Sequence, residues 1–286
     1  MSSKDKILEY LELNKGTYIS GESMATDLAL SRTAIWKAIN ELRKSGYEID
    51  AVSNKGYMLK DGNDIISAPG IISYLNGACL KKYQNGDLIR IYDTVNSTNR
   101  IAKELAIAGG DHGTIIIANE QTEGRGRKDH SFYSPKGGLY MSILLRPEEL
   151  HKTISNYLNS NESANSSASS KKPEQILNPD TITSFTGGKV CAAIESLTGI
   201  RPRLKPINDL FIGDKKICGI LTEAGTEFET GDVQWIVVGI GINFDSDVKA
   251  FPSDIKKTAT SLFKPGEATF TKNRLAAEII KQLIFS

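Results

Sequence analysis

The sequence has 286 residues, of which 40% are apolar, and its formal net charge at pH 7 is +1. This length suits one large domain or two unequal domains, and the apolar content is sufficient for a hydrophobic core. The near-zero net charge excludes a general electrostatic attraction to nucleic acid, so any DNA binding must come from a local basic surface.

Cysteine, histidine and hydropathy patterns narrow the class of protein further. The three cysteines are far apart and odd in number, which argues against a disulfide framework and fits a reducing compartment. The three histidines are scattered, and no Cys/His cluster has zinc spacing. The N-terminus lacks the apolar core of a signal peptide, and no stretch approaches the roughly 18 apolar residues of a membrane span. We therefore expect a soluble, cytoplasmic protein that does not bind membranes.

Residues 1–62 match the outline of a winged helix-turn-helix domain. Ser31 is a suitable N-cap for the third helix of this outline, and Gly46 is a suitable stop. Helical periodicity and short alternating runs predict three helices and a hairpin, at 4–14, 21–28, 32–45, 47–52 and 57–59.

The sequence pattern changes after a predicted linker at 63–83. Residues 84–286 mix strands and helices in an order that favours an α+β domain. The alternation at 138–145 indicates a strand packed on one face, and the Ser- and Asn-rich residues 156–178 are predicted to be a flexible surface insertion. The predicted elements are strands at 89–93, 114–118, 138–145, 201–205, 210–212, 216–223 and 233–242, and helices at 96–108, 184–197 and 272–284.

The third helix and the hairpin carry the positive charges that DNA binding would use. A helix of this kind enters the major groove with its N-terminal residues nearest the bases, and Lys55 in the wing would reach phosphate. Packing within the domain is the more usual role of a residue such as Trp36, and some helix-turn-helix domains serve only as protein-interaction modules. We assign DNA binding to Arg32, Thr33, Trp36, Lys37 and Lys55.

A Gly/Arg segment, Gln121–Lys128, follows a predicted apolar strand. Glycines let the backbone approach a ligand, arginines present forked donors to phosphate or carboxylate, and successive N–H groups form an anion nest. The segment is therefore a candidate anion clamp, but it is not a Walker loop because no Gly-Lys-Ser/Thr follows. Taken alone, it is equally compatible with a solvated basic turn or a nucleic-acid loop.

A second polar cluster, Lys205 with Asn208 and Asp209, stands at a predicted strand end. This cluster suits a nucleotide, with Asp209 near the metal. Lys216 begins the next apolar strand, where it is either an edge charge or a catalytic cation, and the pattern alone favours the edge charge.

Two further motifs suit a small polar ligand. Ser97-Thr98-Asn99, at the first turn of a predicted helix, is either an N-cap or a set of ligand hydrogen-bonding groups. The alternating glycines of Val237–Asn243 lie within a strand, where glycine usually marks the close approach of a ligand or of another backbone.

Taken in chain order, these motifs closely resemble those of the biotin protein ligase family. The resemblance runs from about residue 88 to the end, and residues 31–37 are similar to the head of members that repress biotin genes. Six motifs in this order are difficult to attribute to coincidence. They are Ser-Thr-Asn, Gln-x-x-Gly-Arg-Gly-Arg, Ser-Pro-x-Gly-Gly-Leu-Tyr-x-Ser, Lys-x-x-Asn-Asp, Lys-x-x-Gly-Ile-Leu and Gly-Ile-Gly-Ile-Asn.

The resemblance implies a mixed-sheet catalytic domain of the biotin/lipoyl ligase type behind the winged helix. The implied activity is that of a biotin–[acetyl-CoA-carboxylase] ligase, with biotin and ATP as substrates and Mg²⁺ as the metal. Biotin's carboxylate attacks the α-phosphate of ATP, and the biotinyl-5′-AMP then passes biotin to a lysine of a biotin carboxyl carrier domain. No enzyme nucleophile is required, which agrees with the lack of a Ser/His or Cys/His constellation. Members with a head also repress biotin genes, as homodimers on operator DNA.

The resemblance also implies roles for individual residues of this sequence. Catalytic roles fall on Lys216, Arg127 and Asp209, with Asp209 also on the metal side. Nucleotide binding falls on Arg127, Lys205, Asn208, Asn243 and Phe132, and Leu139–Ser142 would form the strand lining the biotin pocket. Biotin binding falls on Ser97, Thr98, Asn99, Gln121, Arg125, Gly126, Arg127, Lys216 and Gly219.

Three departures from the family pattern bear on the activity. His130 and Phe132 stand where the family has arginine and tryptophan, and Lys205-Pro-Ile-Asn-Asp replaces the usual Lys-Trp-Pro-Asn-Asp. The sequence stops at Ser286, so we expect the family's small C-terminal SH3-like barrel to be absent. These departures keep open a second hypothesis, a biotin-sensing transcription regulator with impaired or no ligase activity. A third hypothesis, a lipoate or octanoate transferase, shares the fold, but the Gly-Arg-Gly-Arg loop and the head argue against it.

Overall fold

The computed structural model describes residues 2–127, 130–161, 178–205 and 208–285. The chain divides into two compact units, one of residues 1–87 with 271–278 and the other of residues 88–270 with 279–286.

Three capped helices open the first unit: α1 (Ser3–Leu13), α2 (Gly21–Asp27) and α3 (Arg32–Lys44). A serine precedes each helix, and its side chain accepts a hydrogen bond from a backbone N–H of the first turn. Each cap satisfies a donor that the helix itself leaves unpaired. The three predicted helices and the Ser31 cap are confirmed.

The wing is the antiparallel hairpin β1 (Ile49–Val52) and β2 (Gly56–Leu59). Gly56 has φ +100°, and a Cβ there would lie 1.9 Å from the Ile19 carbonyl oxygen, so glycine alone lets the wing pair with this segment. Trp36 is 58% exposed, so the expectation that it packs within the domain is wrong. The core joins α1, α3 and the wing through Ile7, Leu8, Leu11, Ile35, Ile39, Leu42, Ile49 and Leu59.

Residues 63–83, predicted as a linker, contain two short helices, α4 (Ala68–Ile72) and α5 (Gly77–Tyr83). They belong to the first unit, as do residues 271–278. Asn273 is fully buried: its Nδ2 donates to the Ile65 carbonyl at 2.9 Å, and its Oδ1 accepts from Ser67 N at 3.0 Å. These bonds join two stretches that lie about 200 residues apart in the sequence.

A seven-stranded mixed sheet forms the second unit, with spatial order β3-β4-β5-β9-β8-β7-β6. The pair β3–β4 is parallel and the other neighbours are antiparallel. The mixed sheet of the predicted α+β fold is therefore confirmed. Its strands are β3 (Ile89–Val95), β4 (Thr114–Gln121), β5 (Gly138–Leu145), β6 (Arg203–Lys205), β7 (Asp209–Ile212), β8 (Lys215–Thr226) and β9 (Val233–Asn243).

Helices pack against this sheet, and one of them, α6, contributes residues to the cleft described in the next subsection. Helix α6 (Thr98–Ile107) packs on β4, β5 and β9, with Ala102 and Ala106 against Ile116 and Leu144. Strand β5 is buried along its whole length, so the prediction that it packs on one face only is wrong. The other helical elements are α7 (Pro147–Asn161), α8 (Pro179–Thr198), a 3₁₀ turn (Val248–Ala250) and α9 (Lys272–Ile284).

The predicted insertion at 156–178 differs from the structure at both ends. Helix α7 continues through Asn161, so residues 156–161 are helical, and residues 162–177 lie outside the described residues. Helix α8 begins earlier than predicted because Asn178 caps it, accepting from Thr181 N at 2.8 Å, and Pro179 suits the first turn.

The sequence predicted neither a membrane span nor a C-terminal SH3-like barrel, and the described residues can be compared with both expectations. None of their helices is long and apolar enough to cross a membrane. Their strands form the wing and the seven-stranded sheet alone, so the small C-terminal barrel of the resembling family has no counterpart in this part of the chain.

Candidate active site

The second unit contains a cleft of about 250 Å³, with walls from the start of α6, the 121–132 loop, strands β7 and β8, and strand β9. Every residue predicted from the resemblance to bind biotin lines this cleft. The walls are Ser97, Thr98, Asn99, Gln121, Arg125, Gly126, Arg127, His130, Ser131, Phe132, Asn208, Asp209, Lys216, Gly219, Ile220, Leu221, Gly239, Ile240 and Gly241.

The start of α6 presents Ser97 and Thr98 to the cleft. Ser97 occupies the N-cap position, but its side chain makes no capping hydrogen bond, so capping does not account for it. Thr98 N donates to Gln121 Oε1 at 2.8 Å, and Gln121 Nε2 donates to Ser134 Oγ at 2.9 Å. A backbone N–H only donates, so this bond fixes which end of the Gln121 amide faces Thr98.

A polar network continues from Thr98 through the sheet to an ion pair. Ser142 Oγ lies 2.7 Å from Thr98 Oγ1 and 2.6 Å from Asn99 Oδ1. Asn99 Nδ2 donates to Glu223 Oε2 at 2.8 Å, and Lys103 Nζ donates to Glu223 Oε1 at 2.6 Å. Ser142 and Asn99 are buried, whereas the Lys103 and Glu223 side chains are about a quarter exposed.

Three strand glycines shape the floor of the cleft. A Cβ at Gly239 would lie 2.2 Å from Asn99 Oδ1, and one at Gly219 or Gly241 would lie 2.9 or 2.6 Å from the Phe132 ring. The glycines therefore admit side chains from α6 and from the Gly/Arg loop. The sequence had suggested close approach of a ligand or of another backbone, and here a side chain of the protein itself approaches.

The Gly/Arg loop folds back on itself above this floor. Phe132 N donates to the Gly124 carbonyl at 2.8 Å, Gly126 N donates to the His130 carbonyl at 2.6 Å, and Arg125 pairs with Ser131 in an isolated antiparallel bridge. Arg127 is 3.3 Å from Asp180 in a partly exposed ion pair. Up to Arg127, the Gly/Arg segment thus contributes to the wall of the cleft and is not a free surface turn.

Lys216 and Asp209 form the charged part of the wall. Lys216 Nζ lies 2.7 Å from Asp209 Oδ1 and 5.5 Å from the centroid of the Phe132 ring. The backbone of Lys216 is held by Thr258 and Thr260 on either side. The edge-charge alternative fits less well than a cation directed at the cleft, because Lys216 lines it together with the Gly/Arg loop.

Several predicted residues lie outside the cleft walls. Lys205 Nζ sits 4.0 Å over the Phe211 ring, and buried Asn243 donates through Nδ2 to the Thr260 carbonyl at 2.9 Å. Strand residues Leu139–Ser142 are buried, and none of them lines the cleft. Burial raises the pKa of Tyr140, whose hydroxyl stays protonated and donates to the Pro135 carbonyl at 2.6 Å.

Sequence reasoning missed three contributors to this site: Ser131 in the wall, and Lys103 and Glu223 in the network behind it. Lys103 follows Asn99 by one helical turn, so the spacing of α6 was a usable signal. Glu223 had none, because it approaches Asn99 across 124 positions of sequence.

The cleft offers few ligands to a metal ion of its own. Among the described residues, no group of three or more His, Cys, Asp or Glu side chains is placed to hold a metal. Among the described residues that line the cleft, Asp209 is the one carboxylate. A divalent cation here would bring ligands with it, as Mg²⁺ does when it is bound to phosphate oxygens.

The residues predicted to bind DNA lie on the surface of the first unit. Arg32, Thr33, Trp36, Lys37 and Lys55 are all exposed. Arg32 pairs with Glu22 at 2.8 Å, and both side chains are more than two-thirds exposed, so the pair contributes little stability and can be exchanged for phosphate. Trp36 and Lys37 line one shallow depression on α3.

Two family models match this chain. A helix-turn-helix (HTH) domain model matches residues 4–58, and the model of the biotin/lipoate A/B protein ligase family matches residues 91–243. The first covers α1 to the wing, and the second covers the sheet and most of the cleft.

Individual relatives agree with both matches. The chain is 35% identical over 259 residues to the bifunctional ligase/repressor BirA of Bacillus subtilis (strain 168), covering 90% of this chain and 69% of the relative. It is 27% identical to the protein of the same name from Escherichia coli (strain K12), covering 95% and 73%. Among solved structures, it is similar to a biotin protein ligase from Aquifex aeolicus in complex with biotin and ATP, with 27% identity, a TM-score of 0.51 and 68% of each chain covered.

Proposed function

The chain belongs to the family of bifunctional biotin ligase/repressor proteins, and from this premise we propose that its cleft makes biotinyl-5′-AMP and passes biotin to a carrier lysine. One observation supports the assignment of the site: the nine residues matched to direct contact with biotin line a single cleft that also contains Asp209, although Leu139–Ser142 lie outside its walls. The acceptor we propose is a biotin carboxyl carrier domain.

The first step joins biotin to the nucleotide. A biotin carboxylate oxygen attacks the α-phosphorus of ATP, the new O–P bond forms as the bond to the β-phosphate oxygen breaks, and pyrophosphate leaves. Arg125 and Arg127 would neutralise phosphate charge, whereas the Gly126 N–H is already bonded to the His130 carbonyl at 2.6 Å. Catalysis here is positioning and charge stabilisation, since biotin itself supplies the nucleophile.

We assign Lys216 a role in both steps: in the first it would neutralise charge that develops at the α-phosphate, and in the second it would act on the acyl group. The neutral amine of the carrier lysine attacks the acyl carbon of the mixed anhydride, an amide forms, and AMP leaves. Lys216, which reaches the cleft from β8, would stabilise the charge that develops on the acyl oxygen and on the departing phosphate. Asp209 Oδ1 lies 2.7 Å from Lys216 Nζ, and this ion pair would fix the position of the lysine's positive charge.

Substrate binding divides between the two ends of the cleft. We propose that Ser97, Thr98, Asn99, Gln121 and Gly219 surround biotin, while Asn208 and Phe132 face the nucleotide. Mg²⁺ would enter as part of MgATP, with Asp209 as its nearest protein carboxylate. Lys205 and Asn243 would act on the nucleotide only if it extends past the cleft walls described above.

The first unit would act on operator DNA. We propose residues 1–62 as the DNA-binding head, 63–83 as the connection and 84–286 as the catalytic domain, in a cytoplasmic protein. Helix α3 would enter the major groove, with Arg32, Thr33, Trp36 and Lys37 near the bases and Lys55 of the wing at phosphate. A single head binds DNA weakly, so we propose a homodimer on a two-fold operator.

Mass spectrometry of a carrier domain tests the enzymatic part of this proposal. The carrier is incubated with the chain, biotin and MgATP, and we expect its mass to rise by one biotin held as an amide. Reactions without ATP, or with lipoate instead of biotin, are the controls. Lipoate transfer that exceeds biotin transfer would contradict the substrate, and biotin-dependent DNA binding without any transfer would identify a sensor rather than a ligase.

A further inference from the structure

We propose that Ser134 is a positioning residue whose hydroxyl joins the Gln121 side chain, at the proposed biotin end of the cleft, to the Phe132 backbone, at the proposed nucleotide end. The inference rests on the proposed function and adds a residue that would touch neither substrate. Ser134 opens the Ser-Pro-x-Gly-Gly-Leu-Tyr-x-Ser motif, and the resemblance implied no role for it. It is 3% exposed and does not line the cleft.

The side-chain amide of Gln121 has one orientation. Its Oε1 accepts from Thr98 N at 2.8 Å, and a backbone N–H only donates. Its Nε2 therefore points the other way and donates to Ser134 Oγ at 2.9 Å. Because an amide nitrogen does not accept hydrogen bonds, the Ser134 hydroxyl is the acceptor of this bond.

The single proton of the Ser134 hydroxyl is directed at Phe132. Ser134 Oγ lies 2.9 Å from the Phe132 carbonyl oxygen, which only accepts. The hydroxyl thus accepts on one side and donates on the other, so the two bonds form together. Phe132 N donates to the Gly124 carbonyl at 2.8 Å, and with the Ser134 bond both polar backbone groups of Phe132 are held.

The Phe132 ring carries the connection to the floor of the cleft. A Cβ at Gly219 or Gly241 would lie 2.9 or 2.6 Å from a ring atom, and the ring centroid is 5.5 Å from Lys216 Nζ. The position of this ring follows from the backbone that carries it. The Ser134 hydroxyl therefore fixes a point in each end of the cleft at once.

The space around the Ser134 hydroxyl is closed on the side of Gly124. A Cβ there would lie 2.5 Å from Ser134 Oγ and 2.3 Å from the Phe132 carbonyl oxygen. Removing one oxygen atom in Ser134→Ala opens less than the roughly 30 Å³ that a water molecule occupies in the liquid. The Gln121 N–H and the Phe132 carbonyl then lose their partner. The bond from Gln121 N to the Ser134 carbonyl, at 3.1 Å, keeps the two segments together.

Calorimetric titration of the full-length chain tests this inference. The probes are biotin alone and then, with biotin at saturation, the Mg²⁺ complex of α,β-methylene-ATP, which cannot release pyrophosphate. In Ser134→Ala we expect biotin affinity to fall about tenfold and nucleotide affinity about threefold, because Gln121 and Phe132 are no longer held. Ser196→Ala removes an exposed hydroxyl that bonds to the Ala193 carbonyl within α8, and it should bind both probes as wild type does.

Double-mutant cycles separate positioning from a general loss of structure. In Gln121→Ala the side chain that Ser134 positions is gone, so adding Ser134→Ala should change biotin affinity by no more than about twofold. In Phe132→Ala, adding Ser134→Ala should likewise change nucleotide affinity by no more than about twofold. A merely structural role would lower the affinity by the same factor in every background.

A second variant, Ser134→Cys, keeps the cycles usable where the alanine variant does not fold. Its side chain is similar in size, and a thiol is a weaker donor and acceptor than a hydroxyl. We expect smaller losses of affinity than in Ser134→Ala, and these losses should disappear in the same two backgrounds. Thermal melting shows whether each variant is folded.

Three results would overturn the inference. The first is unchanged affinity for both probes in the folded variant. The second is a loss of affinity for biotin alone, which would remove the connection to Phe132. The third is a loss that persists in full in the Gln121→Ala and Phe132→Ala backgrounds. If the wild type binds no biotin, the proposed function itself fails, whereas wild-type binding with any of these three results refutes the role of Ser134 alone.

Discussion

Lys216 lies on β8, pairs with Asp209 and lines the cleft. Removing its side chain tests whether the positive charge contributes to catalysis. We expect Lys216→Ala to lower the rate of biotinyl-5′-AMP formation roughly a hundredfold or more, the cost of losing one donor to developing negative charge. The melting temperature should change little because the side chain is only partly buried. Release of labelled pyrophosphate measures the rate.

The neighbouring Lys215 provides the matched control, since it is exposed and does not line the cleft. Lys215→Ala should retain full activity. Full activity in Lys216→Ala would contradict the assigned role.

Substitution of Gly239 tests how closely α6 packs against strand β9. A methyl group at this position would meet buried Asn99 Oδ1 at 2.2 Å. We expect Gly239→Ala to lower the free energy of unfolding by about 1–3 kcal/mol, as overpacking does, and to weaken biotin binding because Asn99 must move. Urea denaturation and biotin titration measure the two effects. Gly62→Ala, with nothing within 4 Å of the added Cβ, is the control, and a Gly239→Ala variant as stable as that control would refute the fit.

At this scale the sequence predicted which residues meet but not how they are connected. Ser97, Thr98, Gln121 and Lys216 belong to recognisable motifs, and they share one cleft. The Glu223–Asn99 bond escaped prediction because it depends on a crossing between α6 and β8 that no local pattern encodes.

Among the helices, α3 carries both the N-cap and the proposed DNA-binding residues. Ser31 Oγ accepts from Ala34 N at 3.1 Å. We expect Ser31→Ala to destabilise the first unit by about 1 kcal/mol, which corresponds to a fall of roughly 4–8 °C in melting temperature for a unit of this size. Circular dichroism on heating measures it. Ser53→Ala in the exposed wing turn is the control, and equal melting curves for the two variants would contradict the cap.

Helix α1 contains a buried carboxylate that gives the first unit a pH dependence. Burial raises the pKa of Glu12, although Lys15 at 3.2 Å opposes the rise. The protonated form is thus favoured in the folded state, so its stabilising effect is fully present below the ordinary value of 4.5 and is lost as pH rises through the raised pKa.

Glu12→Gln should reduce that dependence. We expect the melting temperature of the variant to change less between pH 4 and pH 8 than that of wild type. Glu41→Gln, an exposed carboxylate on α3, should keep the wild-type dependence. Parallel curves for wild type and Glu12→Gln would show that Glu12 does not control it.

Periodicity located most elements, but it missed the short helices α4 and α5 and the longer helix α7, and it misjudged the burial of β5. Helix α7 was absent from the prediction because its amphipathic pattern runs directly into the polar stretch after it. Strand β5 is apolar at every position except Gly138 and Ser142, so the prediction of alternation was wrong. A nearly continuous apolar run is typical of a strand covered on both faces, and β5 is buried along its whole length.

For the molecule as a whole, local charge must account for DNA binding, since the net charge is only +1. If Lys55 of the wing neutralises one phosphate, Lys55→Ala should make the slope of log K against log salt concentration less steep by about 1. Fluorescence anisotropy with operator DNA at several salt concentrations measures this slope. Lys6→Ala, exposed on α1, should leave the slope unchanged, and an unaltered slope for Lys55→Ala would remove Lys55 from the interface.

The class of fold followed from the sequence, but the strand order did not. Mixed strands and helices predicted an α+β domain, and the spatial order β3-β4-β5-β9-β8-β7-β6 places β9 in the middle of the sheet, next to β5. That adjacency joins residues about 90–105 positions apart and arises from tertiary packing alone.

The bonds of Asn273 to Ile65 and Ser67 set an order of assembly during synthesis. The core of the winged helix, from Ile7 to Leu59, is complete once those residues have left the ribosome. The next segment, at 64–67, must wait for roughly 200 more residues before Lys272 and Asn273 reach it. During synthesis the winged-helix core can therefore form while residues 64–67 still lack their partners, and the first unit is completed only when the start of α9 has been translated.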